Sequence, residues 1–240
     1  ILHAMDQTLN QAAKVRYMTG GKAKVPLVIR AQQGSGRGNG AQHSQNLEAI
    51  FCHIPGLKVV MPSNPYDAKG LLKTAIRDSN PIMFFEHKVL YNTTGEVPEN
   101  DYIIPFGKAQ IKRSGKDITI IATSWMVLKA MEAAELLQLQ GIDAEVIDPR
   151  TLVPLDKETI INSVKKTGHV VVVHESHGVC GIGAEISYII NELAFDFLDA
   201  PVKRVTSAQA PIPYSRKLEQ LTIPSPERIV KAVLETLNRT

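Results

Sequence analysis

The stretch ITIIATSWMVLKAMEAAELLQLQGIDAEVI, residues 118–147, decides the fold. Ile118–Thr123 is short, apolar and rich in β-branched residues, the composition of a strand buried on both faces. Good helix formers then run through Leu137, and Ala144–Ile147 reads as a second strand. The same alternation continues outward, with a helix over Asp156–Lys166, a strand at Val170–His174, a helix after Gly181 and a strand at Val202–Thr206. Strands separated by helices predict an α/β architecture, a mostly parallel sheet covered on both faces.

Upstream the pattern begins again. Met5–Met18 predicts a helix with Met5, Leu9, Ala12, Ala13 and Tyr17 on one face, stopped by Gly20-Gly21. Strands are expected at Val25–Ala31, Lys58–Met61 and Pro81–Glu86, with helices near Asn46–His53 and after Asn64-Pro65. The last start is well marked by Asn64 at the cap, Pro65 in the first turn and Asp67 near the helix dipole. Residues 88–107 break the periodicity with Thr93-Thr94-Gly95, Pro98, Glu99-Asn100-Asp101 and Pro105. They read as a linker laid over a surface, dividing the chain into units 1–87 and 108–240.

Composition narrows the function. Hydrophobic residues make up 44% of the 240 and charged residues 21%, which suits core-forming globular units and excludes disorder or a coiled coil. A formal charge of +3, dispersed and without basic runs interleaved with aromatics, gives no nucleic-acid footprint. No apolar run approaches the roughly 20 residues of a membrane span. Cys52 and Cys180 lack any metal-ligand or disulfide-framework spacing and read as buried free thiols. The sequence opens at Ile1 without a charged leader and apolar core, so no targeting peptide is read.

The chemistry points to Gly34-Ser35-Gly36-Arg37-Gly38-Asn39-Gly40 and the Gln42-His43-Ser44-Gln45 that follows. Glycines there permit positive φ and close backbone approach, Ser44 is the expected helix cap, and His43 is placed to face a ligand. Other patterns carry less. Gly178–Gly183 lacks the ordered dinucleotide fingerprint and reads as a strand-to-helix turn. His174, Glu175 and His177 lack further ligands and read as strand-end packing or a subunit contact. Asp156 and Glu158 read as cap and dipole residues, and Glu219 as solvated surface. Neither a phosphate-binding P-loop nor a GxSxG nucleophile elbow is present.

The run AQHSQNLEAIFCHIPGLKVVMPSNPYDAKGLLKTAIRDSNPIMFFEHKVLY at 41–91 closely resembles the beta subunits of thiamine-diphosphate-dependent 2-oxo acid dehydrogenases, especially the pyruvate dehydrogenase type. MDQTLNQAAKVRYMTGG, EVIDPRTLVPLDKETI, GIGAEI and APIPYSRKLEQLTIPSPERIV extend the resemblance over the whole chain. It implies a partial pyrimidine-binding domain over 1–87 and a transketolase C-terminal-like domain over 108–240. The implied assembly is an α₂β₂ heterotetramer in which the alpha subunit binds the diphosphate and Mg²⁺ and the beta subunit contacts the aminopyrimidine. His43 aligns with the family's active-site histidine, which handles protons during decarboxylation and reductive acylation of lipoyl-lysine. A family glutamate that promotes ylid formation precedes the matched segment, so the resemblance implies that this stretch alone is inactive.

The resemblance also implies K⁺ held by carbonyls at the matched positions Leu27, Ala75, Ile76, Asp78 and Asn80, where a helix C-terminus favours a cation. Implied partners are the alpha subunit, a second beta subunit, a 2-oxo acid, and a dihydrolipoyl acyltransferase with its lipoyl domain, docked on the C-terminal domain, where the turn-rich segments Glu175–Gly183 and Ala208–Tyr214 read as contact surfaces. Branched-chain 2-oxo acid or acetoin dehydrogenase is the alternative within the class. A noncatalytic assembly and docking module is the alternative outside it. Transketolase and deoxyxylulose-phosphate synthase fit less well, since they carry the diphosphate motif on the same chain. The family places such a subunit in the cytoplasm of bacteria, or in the mitochondrial matrix or plastid stroma of eukaryotes.

Overall fold

A computed structural model describes residues 1–239 of the chain. The chain opens with a 3₁₀ turn at Leu2–Ala4, a π-helical stretch at Asp6–Ala12 and a short helix α1 (Ala13–Met18). Gly20 and Gly21, at φ +60° and +82°, end it. Ala13 is buried as expected, but Tyr17 is 90% exposed. A π turn takes more residues than an α turn, so a stripe drawn at α spacing loses phase before it reaches Tyr17.

The first unit then alternates β1 (Val28–Gln33), α2 (Glu48–Cys52), β2 (Lys58–Val60), α3 (Pro65–Arg77) and β3 (Ile82–His87). Its strands are parallel in the order β1-β3-β2, so α2 crosses in one direction and α3 returns in the other. Right-handed crossovers in opposite directions put the two helices on opposite faces. Side-chain alternation agrees: Val59, Met83 and Phe85 pack with Phe51 of α2, while Val60, Ile82 and Phe84 pack with Leu71 and Ala75 of α3. The α3 start is as its sequence predicts, with Asn64 Oδ1 accepting from the Asp67 N–H at 2.9 Å. Asp67 itself is fully buried, within 3.1 Å of Arg150.

Residues 88–107 begin with a 3₁₀ turn at Lys88–Asn92 and then run across α3. Tyr102 stacks on Tyr66 with centroids 4.6 Å apart, and Ile104 is buried in the α3 cluster.

The rest of the chain comprises β4 (Gln110–Arg113), β5 (Ile118–Ala122), α4 (Met126–Gln138), β6 (Ala144–Asp148), β7 (Thr151–Val153), α5 (Lys157–Thr167), β8 (Val170–His177), α6 (Ile182–Ala194), β9 (Lys203–Ser207), α7 (Arg216–Thr222) and α8 (Pro226–Thr236). Five of its strands form a sheet ordered β4-β6-β5-β8-β9, parallel except for β4. Helices α4 and α8 cover one face, while α5 and α6 cover the other. Asp156 caps α5 by accepting the Thr159 N–H at 3.1 Å.

Two features bind the units together. The isoleucines of α6, Ile182, Ile186 and Ile190, share one apolar cluster with Phe51 and Phe85, so a single core continues between the sheets. Strand β7 leaves the second unit to pair antiparallel with β2, Val59 opposite Val153. A division of the sequence at 88–107 does not foresee that return. Where it happens, Ser63 Oγ donates to Asp148 Oδ2 at 2.5 Å, and burial raises the Asp148 carboxyl to about 6. No helix among the described residues is long and apolar enough to cross a membrane.

Candidate functional site

Parallel α/β sheets present ligand sites beyond the carboxyl ends of their strands. At that end of β1 and β3 lies a cavity of about 820 Å³. Gln32, Gln33, Phe85 and Lys88 come from the strand ends, Gln42, His43 and Gln45 from the loop, and Tyr214 from the second unit. His43 is exposed at the wall, in the turn that closes the glycine-rich loop. Its carbonyl accepts a hydrogen bond from Lys88 Nζ. Phe85 meets Phe51 edge to face at 5.3 Å, which fixes an aromatic floor.

The loop is held from the second unit. Glu175, at the end of β8, accepts from Ser35 N at 2.7 Å, Ser35 Oγ at 2.6 Å and Asn46 Nδ2 at 3.1 Å through one carboxylate oxygen. Its other oxygen lies 2.6 Å from His87 Nε2, while His87 Nδ1 accepts the Val89 N–H. Burial alone would raise the Glu175 carboxyl, but His87 and the Ser35 donors outweigh it and hold it down at about 2. Glu219 of α7 accepts from Gly36 N at 2.8 Å and Gly38 N at 2.9 Å. At 1% exposed it is not solvated surface. The loop glycines fulfil their expected part, since Gly34 has φ +93° and a Cβ there would lie 2.0 Å from His87 Nε2.

Ser44 does not cap the helix. It is buried with no hydrogen-bond partner for its hydroxyl among the described residues, and α2 starts at Glu48 after Leu47. No side chain caps α2; Gln33 accepts the Leu47 N–H at 3.4 Å just ahead of it and donates to the Glu48 side chain at 3.2 Å. Glu48 is 1% exposed, and burial raises its carboxyl. The segments with turn-forming residues are also used within the chain. Tyr214 and Arg216 pack over Gly40 and Gly38.

Lys88 lies in the middle of these charges. Burial lowers its pKa and Arg37 acts the same way, partly offset by Glu175 and Glu219. The arrangement offers a flat apolar ring, several amide groups and an exposed imidazole. The cavity lining contains no carboxylate.

The remaining candidates lie elsewhere. Leu27, Ala75, Ile76, Asp78 and Asn80 come together where the start of β1 meets the end of α3. Val25 N donates to Ser79 O at 3.0 Å and Ile82 N to Leu27 O at 2.8 Å. Asp78 accepts from Lys58 and from Asn80, and Arg16 donates to Asn80 Oδ1 at 3.0 Å. His174 packs under Gly181 and Gly183, and burial lowers its pKa to about 4. Neither it nor His177 joins a metal-holding group of side chains among the described residues. Cys180 is exposed and Cys52 half-buried, so only Cys52, whose thiol burial pushes up, approaches the expected state. The positive φ of Cys180, +54°, turns it outward between β8 and α6.

Residues 4–94 match the family description "Transketolase, pyrimidine binding domain" and residues 107–229 match "Transketolase, C-terminal domain". The acetoin:2,6-dichlorophenolindophenol oxidoreductase subunit beta of Cupriavidus necator is 52% identical over 97% of this chain and 69% of its own length. Its Bacillus subtilis counterpart is 50% identical over 97% and 68%. The pyruvate dehydrogenase E1 component subunit beta of Porphyra purpurea is 51% identical over 99% of this chain and 72% of its own. A solved structure described as a split gene transketolase, inactive beta4 tetramer, matches with a TM-score of 0.80 and 25% identity over 98% of this chain and 72% of that one. Two matched domains and half-identical relatives over nearly the full chain show that it belongs to the transketolase-like family of 2-oxo acid dehydrogenase beta subunits.

Proposed function

We propose that the chain serves, with an alpha subunit, in decarboxylating pyruvate and passing the acetyl group to lipoyl-lysine of an acyltransferase. The carrying observation is His43, exposed on a loop clamped by two buried carboxylates, facing the cavity beyond β1 and β3. The cavity fits a heteroaromatic ring. Phe85 offers an apolar face, and Gln32, Gln42 and Gln45 offer amides for ring nitrogens. The division of labour implied by the resemblance gives the diphosphate and its Mg²⁺ to the alpha subunit, and a lining without carboxylates is compatible with it. Thiamine diphosphate, when bound, supplies the electron sink that decarboxylation requires.

This chain's own residues do the rest. His43 moves a proton at a ring nitrogen toward the reacting oxygen and, in acyl transfer, toward the opening dithiolane sulfur. Lys88 fixes the backbone beneath it. In the full-length subunit reconstituted with its partner, His43→Ala is expected to reduce lipoyl acylation by about 10²–10⁴-fold while the tetramer still assembles. Wild-type turnover in that tetramer rejects the assignment.

Acetoin is the second reading, favoured by relatives of that name at 50% and 52% identity. Comparing pyruvate with acetoin as substrates, with 2,6-dichlorophenolindophenol as electron acceptor, separates the two. The proposal extends to K⁺ at Leu27, Ala75, Ile76, Asp78 and Asn80. In its support, the Leu27 and Ala75 carbonyls each accept one N–H and keep a second lone pair, at a helix end of favourable polarity. A higher melting temperature in KCl than in NaCl at equal ionic strength is the expected result, and identical curves reject the ion.

A further inference from the structure

We propose that Glu219, 176 residues beyond His43, is a positioning residue for that histidine, acting through the backbone of the glycine-rich loop. The inference rests on the reading of His43 as the acting group.

Glu219 stands out on α7. Its neighbours Leu218 and Leu221 are 53% and 75% exposed, yet Glu219 is 1% exposed. A short amphipathic helix ordinarily turns its glutamates to water, and burying a carboxylate costs several kcal/mol unless it is paired or hydrogen-bonded. Both oxygens are used, one on Gly36 N and the other on Gly38 N. Those glycines have φ +91° and +67°. Left-handed backbone at both positions turns the two N–H groups toward one anion, a nest that L side chains would strain. Charge-assisted bonds of this kind are about twice as strong as neutral ones.

The clamp and the histidine share a third element. Lys88 Nζ, which holds the His43 carbonyl, lies in the field of Glu219, Glu175 and Arg37. Glu175 meanwhile ties Ser35 to Asn46, the two ends of the segment that contains His43. Glu219 holds the near half of that closed segment, so its loss frees residues 36–40 and weakens the charge balance around Lys88. Displacement of a reacting group by about 1 Å is enough to cost about a hundredfold in rate.

The test uses the full-length beta subunit in its heterotetramer, with turnover measured by reduction of 2,6-dichlorophenolindophenol and loop motion by hydrogen exchange of peptides spanning 34–46. Glu219→Gln keeps the shape but offers one backbone N–H a donor where it had an acceptor. The expected result is a kcat lowered at least about tenfold, a KM for substrate within about twofold, faster exchange at 34–46, and an unchanged α7. Wild-type kcat with a faster loop overturns the proposal. So does a lowered kcat with an unaltered loop, which would make Glu219 act by another route. If the amide variant unfolds, Glu219→Asp retains the charge but withdraws it by one methylene. An intermediate kcat and intermediate exchange are expected there, and wild-type kcat with a displaced loop again overturns the proposal. His43→Ala distinguishes the levels. If it leaves turnover intact, the site reading itself fails. If it lowers turnover while Glu219→Gln does not, only the positioning role fails.

Discussion

His87 Nε2 lies 2.6 Å from Glu175 Oε2, and both side chains are at most 5% exposed. This one contact joins the last residue of β3 to β8 of the other sheet. It also fixes the carboxylate whose other oxygen receives Ser35 and Asn46, so the loop's geometry depends on it.

Replacing His87 with alanine should therefore destabilise the protein by about 3–5 kcal/mol, because it leaves Glu175 buried with one of its two oxygens stripped of its His87 partner. Denaturant unfolding gives the value. A loss below about 1 kcal/mol would show that Glu175 finds other donors or water.

Gly34→Ala is expected to be nearly as damaging. The new Cβ would lie 2.0 Å from His87 Nε2, and φ +93° strains any L side chain. Gly21→Ala is the control, since it has positive φ but open space around it. A melting temperature for Gly34→Ala equal to that of Gly21→Ala would mean that backbone strain alone matters and the close approach does not.

The pH dependence has a definite sign at His174. Folding lowers its pKa from 6.5 to about 4, through burial first and Arg204 second. Between those values the unfolded chain binds a proton that the folded chain refuses, so stability falls with pH. The loss is of order 3 kcal/mol and is complete below the folded value. Asp148, raised by burial from 3.8 to about 6, works in the opposite direction over much of the same window. The measurement is accordingly the difference between wild type and His174→Asn at each pH. A difference that stays constant from pH 7 to pH 4 contradicts a neutral buried imidazole.

For this chain by itself, titration calorimetry with thiamine diphosphate and Mg²⁺ should show no micromolar binding. The cavity offers the ring a floor and amides but no carboxylate for the metal-bound diphosphate. Micromolar affinity would place the diphosphate site on this chain.

What was legible in the sequence was what is encoded locally. Ile118–Ala122 and Val170–Val173 announce buried strands by composition, and Asn64-Pro65 announces a helix start because a cap is a contact between near neighbours. His43 could be singled out because glycines before it and a helix after it form one continuous stretch. Glu219 could not. Its partners lie 181 and 183 residues away, and an acid in a short helix looks solvated until the tertiary contact is known. Ser44 failed for the same reason, since the packing of the loop buries its hydroxyl and α2 starts only at Glu48, without a side-chain cap. Strand β7 has three residues, too few to show a period, and its pairing is decided by β2 far upstream.

That return of β7 to the first sheet carries a consequence for the order of events during synthesis. Residues 28–87 contain every parallel strand of the first sheet, yet β2 keeps an open edge until residues 151–153 arrive. At ordinary elongation rates of about 5–20 residues per second, that edge waits several seconds after β3 has emerged. A nascent chain halted near residue 100 thus presents unpaired backbone to its neighbours, the condition under which strands join the wrong partner. One released beyond residue 153 has already sealed it.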